Sequence, residues 1–530
     1  MRSVAVIAAI WAGCIPARYG KLGADSGPDP ASPVTDSLKI KLGETQVCPA
    51  PHSGPHYQEQ GLDLFIDTDD FVEPAIDGHV DGPSLAVGDV DDDGVLELAI
   101  MRMENGASHI YQYEVDRYRA LPGEIYPARS GLFADINGDA ILDLMVGGVT
   151  PYSLTMKDDK SWSFALWPAL DPPEETETRS HVHDLSLADF DDDGVEDVFV
   201  VRTAVPFGDG VARNDRILRL NADGMEVVMD AIPEVVGLRH GFDAISFDED
   251  QDGDPDTYLV HDHGATVGPS TLLHNDNGIF EDAAETCFCS LQVSAKGVDI
   301  ADIDRDGRPE LFITGAPLNH LLSQTDDGWL DISDTSGVRE GISHAAGWGG
   351  VFLDPDNDGQ KDILLVQGDR WNPGEEILPD GTEARFDEPI HLLQQQDGHF
   401  SDIASSLGLS AQGSFRAVLA TDLNQDGVED LLITQVSQRT LVYLSEGCTA
   451  ANWIEIDAPI GSKVSIASAS GTQTDWSRVG RGYQSTARIP LHFGLGDDVE
   501  LSDISITLAD GQHFSFPGPF EARQRLRVTR

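Results

Sequence analysis

GWGGVFLDPDNDGQKDILLV, residues 347–366, crowds Asp354, Asp356, Asn357, Asp358 and Asp362 into nine positions between two aliphatic runs. The carboxylates repel one another, while Val351–Leu353 and Ile363–Val366 favour burial. Burying one without neutralising the other is costly. A cation held among the acidic side chains resolves the conflict.

The phrase recurs. Copies stand at 89–97 (DVDDDGVLE), 135–143 (DINGDAILD), 189–197 (DFDDDGVED), 248–256 (DEDQDGDPD), 302–310 (DIDRDGRPE), 354–362 (DPDNDGQKD) and 422–430 (DLNQDGVED). Their starts are 46, 54, 59, 54, 52 and 68 residues apart. Each offers oxygen side chains at positions 1, 3, 5 and 9 and a backbone carbonyl at 7, and all but the second have a glycine at 6 for a sharp turn.

In the first three copies the expected ligands are Asp89, Asp91, Asp93, Glu97 and the Val95 carbonyl; Asp135, Asn137, Asp139, Asp143 and the Ile141 carbonyl; and Asp189, Asp191, Asp193, Asp197 and the Val195 carbonyl. The fourth and fifth copies give Asp248, Asp250, Asp252, Asp256 and the Asp254 carbonyl, then Asp302, Asp304, Asp306, Glu310 and the Arg308 carbonyl. The sixth gives Asp354, Asp356, Asp358, Asp362 and the Gln360 carbonyl, and the seventh Asp422, Asn424, Asp426, Asp430 and the Val428 carbonyl.

All-oxygen donors in an irregular loop suit calcium (Ca2+) better than magnesium, which demands a tighter octahedron. No Cys or His stands at a ligand position, which argues against zinc or copper. An EF-hand would need a glutamate at position 12. That position holds Ile100, Val146, Val200, Leu259, Ile313, Leu365 and Ile433. Copy two, with Asn137 and with Ala140 in place of glycine, is expected to be the weakest site, and copy seven, with Asn424, the next weakest.

Short apolar runs flank the loops, among them SLAV (84–87), GLFA (131–134), LAIM from Leu98 and LLIT from Leu431. Such runs bounded by turns read as buried strands. A unit of about 50 residues holding several short strands has the size of a propeller blade. The fold class is therefore all-β: a seven-bladed β-propeller over 60–448, with calcium-binding inter-strand loops, followed by a small β-domain at 449–530. In that domain Lys463–Ala467, Ser485–Arg488, Ile504–Leu508 and Leu526–Val528 read as strands by alternation.

Residues 1–20 read as a secretory signal, with a lipobox-like Trp11-Ala12-Gly13-Cys14 that would make Cys14 a lipid anchor. Residues 21–59 read as a flexible linker. The balance of 34 basic against 92 acidic residues, a net charge of −58, makes nucleic acid and anionic lipid surfaces poor partners, since both need a basic footprint. Cys48 and Cys448 flank the repeats and could be bridged, and Cys287-Phe288-Cys289 is a weak zinc signal. His181-x-His183 and His261-x-His263 could each chelate a transition metal, although histidines in surface or loop packing are commoner. No H-E-x-x-H, P-loop or G-x-S-x-G motif is present.

The seven phrases resemble the calcium-binding FG-GAP or VCBS repeats of integrin-like β-propellers. GWGGVFLDPDNDGQKDILLVQG, together with GYQS (482–485) and HFGLGD (492–497), resembles the cartilage acidic protein-like ASPIC/UnbV group. The resemblance covers about 60–530 and implies a non-enzymatic, calcium-stabilised extracellular binding or adhesion module. Its partner would be an unknown extracellular protein or glycan ligand, and its location secreted or on the cell surface as an outer-membrane lipoprotein. The alternative is a polysaccharide-active, lyase-like enzyme on the same propeller, since paired carboxylates leave no linear signature.

Overall fold

The computed structural model describes residues 38–43, 45–46, 57–60, 82–102, 108–114, 117–121, 126, 128, 129–148, 150–156, 162–170, 180–204, 214–221, 224–228, 231–237, 239–284, 286–342, 345–368, 387–436, 439–445 and 449–529. The stretch read as a signal, with Cys14, and the cysteines Cys48 and Cys448 lie outside them. Nearly all of the regular secondary structure in the described residues is strand.

Among the described residues, seven sheets follow one plan. In the fourth, His240–Phe247, Asp256–Asp262, Thr271–Asp276 and Ile279–Asp282 pair antiparallel in chain order. The innermost strands are Ser84–Gly88, Ser130–Ala134, Ser180–Ala188, His240–Phe247, Ser294–Ala301, Ala346–Leu353 and Phe415–Thr421. Each lies beside the next, and the last returns to the first, so the sheets close a ring. The seventh sheet takes its outer strand, Tyr57–Gln60, from far upstream, where it pairs with Leu441–Ser445. Ring closure thus ties the chain's early segment to residues almost 400 positions later.

Burial on both faces explains why the inner strands read as solid apolar runs. Leu85 and Val87 face the core shared with the seventh sheet, while Ala86 between them faces the core shared with the second. A separate hydrophobic core lies in each gap between neighbouring sheets.

The C-terminal part is a sandwich of two sheets around Ile454, Ile466, Phe493, Ile504 and Leu526. Two expectations need correction here. Lys39–Leu42, inside the stretch read as linker, is a strand paired with Leu526–Thr529; the alternation Leu38, Ile40, Leu42 carried that signal. Ser485–Arg488 is a strand, but it belongs to the ring: it pairs in parallel with Leu85–Gly88.

With the preceding residues, that strand forms a plug along the ring's axis. Gly482 N–H donates to Val298 O at 2.9 Å, Leu85 N–H to Gln484 O at 3.0 Å, and Thr486 Oγ1 to Gly131 O at 2.6 Å. Tyr483, fully buried, packs its ring 4.9 Å from Trp348 and 5.8 Å from His183.

Candidate metal centres

Each acidic phrase forms the bend between the two inner strands of its sheet. The position-5 carboxylate accepts the position-7 N–H in all seven copies, from 2.7 Å at Asp358–Gln360 to 3.0 Å at Asp426–Val428. The position-1 carboxylate gathers the N–H groups that follow: Asp89 accepts from Asp93 and Gly94, and Asp422 from Asp426 and Gly427. Position 9 reaches back to the position-2 N–H, as in Glu97 to Val90 at 2.8 Å and Glu310 to Ile303 at 2.8 Å. Copy six departs from this because Pro355 has no N–H to give.

Two residues in each loop are left-handed. Position 6 is glycine at φ between 82° and 100° in six copies and Ala140 at 66° in copy two. Position 4 is also left-handed in every copy: Asp92, Gly138, Asp192, Gln251, Arg305, Asn357 and Gln425. The second requirement has no compositional mark, so sequence reading misses it. Replacing Ala140 by glycine should stabilise the protein by about 1 kcal/mol. A melting shift of zero or below for Ala140→Gly would count against the strain at this position.

These hydrogen bonds leave several of the carboxylate oxygens unused. Glu97 Oε1, Asp191 Oδ1, Asp197 Oδ1, Asp302 Oδ1 and Asp362 Oδ2 are buried and have no hydrogen-bond partner. Oxygens of Asp89, Asp91 and Glu97 converge within 4.8 Å of one another, as do those of Asp189, Asp191 and Asp197, of Asp248, Asp250 and Asp256, and of Asp302, Asp304 and Asp306. Convergent, desolvated carboxylate oxygens fit a hard dication.

Burial, with the neighbouring carboxylates adding to it, pushes Asp89 and Asp302 up to about 7 and Asp362 to about 9. Unfolded aspartate titrates near 4. A folded carboxyl raised in this way contributes stability below the unfolded value and loses it as pH rises through the folded one. The ion-free protein should therefore melt higher at pH 5.5 than at pH 8, and saturating calcium should abolish or reverse that order. Equal midpoints at the two pH values without calcium would contradict the reading.

The C-terminal sandwich sits on the acidic-loop end of the ring. Asp354 Oδ2 accepts the Gly494 N–H at 3.1 Å, and Asn357 Oδ1 meets His492 Nε2 at 2.6 Å. Lys463 Nζ donates to Gly307 O at 2.6 Å, and Arg527 pairs with Asp92. Beneath loop six, Lys361 pairs with Asp475 at 3.1 Å, and Arg478 bridges Asp475 and Asp299 at 2.8 Å each.

The other residues singled out by sequence lie away from the loops. Cys287 and Cys289 are bonded to each other rather than poised for zinc, and their Cα atoms are 5.1 Å apart. His181, His183 and His261 are buried among the strands and not in surface packing. His183 Nδ1 meets Phe242 O at 2.9 Å and His261 Nδ1 meets Pro269 O at 2.8 Å.

A closed ring of four-stranded antiparallel sheets, with an acidic bend between the inner strands of each, defines a β-propeller. Residues 248–313 match the family model of the FG-GAP-like repeat, and residues 457–530 that of ASPIC and UnbV. The chain is similar to cartilage acidic protein 1 of Mus musculus, 21% identical over 460 residues, which are 72% of this chain and 70% of that protein. Against the Homo sapiens protein of the same name it is 22% identical over 461 residues, covering 72% and 68% of the two chains. Among solved structures, a lectin of Agrocybe aegerita that recognises non-reducing terminal N-acetylglucosamine aligns over 69% of this chain and 91% of its own, at 13% identity and a TM-score of 0.43. The Dos1 propeller aligns over 67% and 76%, at 10% identity and a TM-score of 0.38.

Proposed function

We propose that this chain is an exported, non-enzymatic binding module whose propeller is held together by calcium in the acidic bends. The observation that carries the calcium reading is the set of buried, unpartnered carboxylate oxygens at ligand positions in four different loops. Calcium satisfies them, cancels the repulsion within each loop and fixes two left-handed residues per turn. Because the C-terminal sandwich bonds directly to loops one, five and six, the same ions set its seat on the ring. The ions are structural in this reading. The module's partner is an extracellular protein or glycan, and its acidic surface disfavours nucleic acid.

Two measurements test the proposal. Equilibrium dialysis of stripped protein should show uptake of several calcium ions per chain, little competition from equimolar magnesium, and loss of one ion in Asp302→Asn. No uptake would sink the metal reading. Incubation with acidic polysaccharides should release no ultraviolet-absorbing unsaturated product; its accumulation would overturn the non-enzymatic reading.

A further inference from the structure

Cys287-Phe288-Cys289 lies outside the acidic bends. It belongs to the connector between Ile279–Asp282, the outer strand of the fourth sheet, and Ser294–Ala301, the inner strand of the fifth. Its two cysteines are bonded to each other across a single residue. Phe288 between them is left-handed at φ 58° and 72% exposed. That backbone region is costly for an aromatic residue, and at such exposure packing does not offset the cost.

The bond adds little that the surrounding core does not already supply. Cys287 and Cys289 sit in one apolar cluster with Tyr258, Leu322 and Trp329. The Cys287 carbonyl accepts the Trp329 N–H at 2.9 Å, and the Cys289 carbonyl accepts the Tyr258 hydroxyl at 2.8 Å. Those contacts come from backbone and rings, not from sulfur. A disulfide restrains the unfolded chain less the shorter the loop it closes, and a sequence separation of 2 is close to the minimum. A small entropic gain set against a strained Phe288 leaves the oxidised form easily opened.

The two sulfurs differ. Cys287 is 8% exposed and Cys289 is fully buried, so an incoming thiolate meets Cys287 Sγ first. The Cys289 N–H donates to Cys287 Sγ at 3.1 Å and stabilises negative charge there. We propose that Cys287 and Cys289 are a reversible redox pair that exchanges with an external dithiol of the C-x-x-C class while the propeller stays folded. One thiolate of the dithiol attacks Cys287 Sγ; the internal S–S bond breaks, and Cys289 Sγ leaves as a thiolate that takes a proton. The dithiol's second thiolate then attacks its own partner sulfur in the mixed disulfide. Cys287 leaves as a thiolate, held by the Cys289 N–H until it too is protonated. Two electrons and two protons reach the pair, and the dithiol departs as a disulfide.

The pair is separate from the calcium loops and does not depend on their role as scaffolding. Dithiothreitol is the probe, applied to the folded, calcium-saturated full chain in buffers of graded reduced-to-oxidised ratio. After alkylation, mass spectrometry of the peptide carrying both cysteines reads the reduced fraction. The pair should reduce in a single two-electron step with the near-ultraviolet aromatic spectrum retained, and should close again once the reductant is removed. Phe288→Asn places a residue that tolerates the left-handed region between the cysteines, and should lower the equilibrium constant for reduction at least about threefold. A pair that stays oxidised until the protein unfolds, a native spectrum lost in step with reduction, or a reduction constant unchanged in Phe288→Asn would each overturn the assignment.

Discussion

Removing divalent cations should lower the melting midpoint by more than about 10 °C. A ligand at 100 times its dissociation constant adds about 2.7 kcal/mol per site by mass action. In domains of 150–250 residues, about 1 kcal/mol moves the midpoint by roughly 2–4 °C. The ring shares its cores between neighbouring sheets, so one loosened bend is felt by the next. Calorimetry with and without EGTA reads the effect directly, and addition of calcium should reverse it. An unchanged midpoint at pH 7.5 would mean that the bends hold their shape by hydrogen bonds alone.

The second large effect is expected at Arg478. Its guanidinium is 2% exposed and bridges Asp299, which is fully buried, to Asp475, at 4%. Asp299 also accepts the Phe352 N–H at 2.8 Å, so the bridge links the fifth sheet, the sixth sheet and the base of the plug. Arg478→Ala strands both carboxylates, although Lys361 still reaches Asp475. Breaking a buried ionic pair from one side costs about 3–5 kcal/mol. Denaturant unfolding should show that loss, and Arg478→Lys should recover only part of it, because an ammonium lacks the planar fork by which Nε and Nη2 meet Asp299 while Nη1 meets Asp475. A loss under about 1 kcal/mol would mean that the plug is held by its apolar contacts alone.

What the sequence disclosed follows from the range of each interaction. The acidic bends and their flanking strands are local: donor spacing, the glycine at position 6 and the apolar runs all lie within about 20 residues, and the structure places them in one hairpin per sheet. The left-handed residue at position 4 was invisible because Gln251, Arg305 and Gln425 have no common chemistry that marks it. Alternation identified Ser485–Arg488 as a strand but could not name its partner. That partner, Ser84–Gly88, lies some 400 residues away, and the pairing is fixed by ring topology. The seat of the sandwich on loop six was hidden for the same reason: Asn357 resembles every other turn asparagine until His492 arrives beside it. The bulges at Gly347/Gly350 and Phe415/Val418, in the inner strands of the sixth and seventh sheets, leave no sequence mark beyond Gly347, Gly349 and Gly350.

Elemental analysis of the purified full chain after gel filtration in chelator-free buffer is the most direct test of the central claim. Several calcium ions per chain are expected, falling by one in Asp362→Asn and unchanged or raised by one in Ala140→Gly. A metal-free protein that keeps its near-ultraviolet spectrum in EGTA would contradict the account.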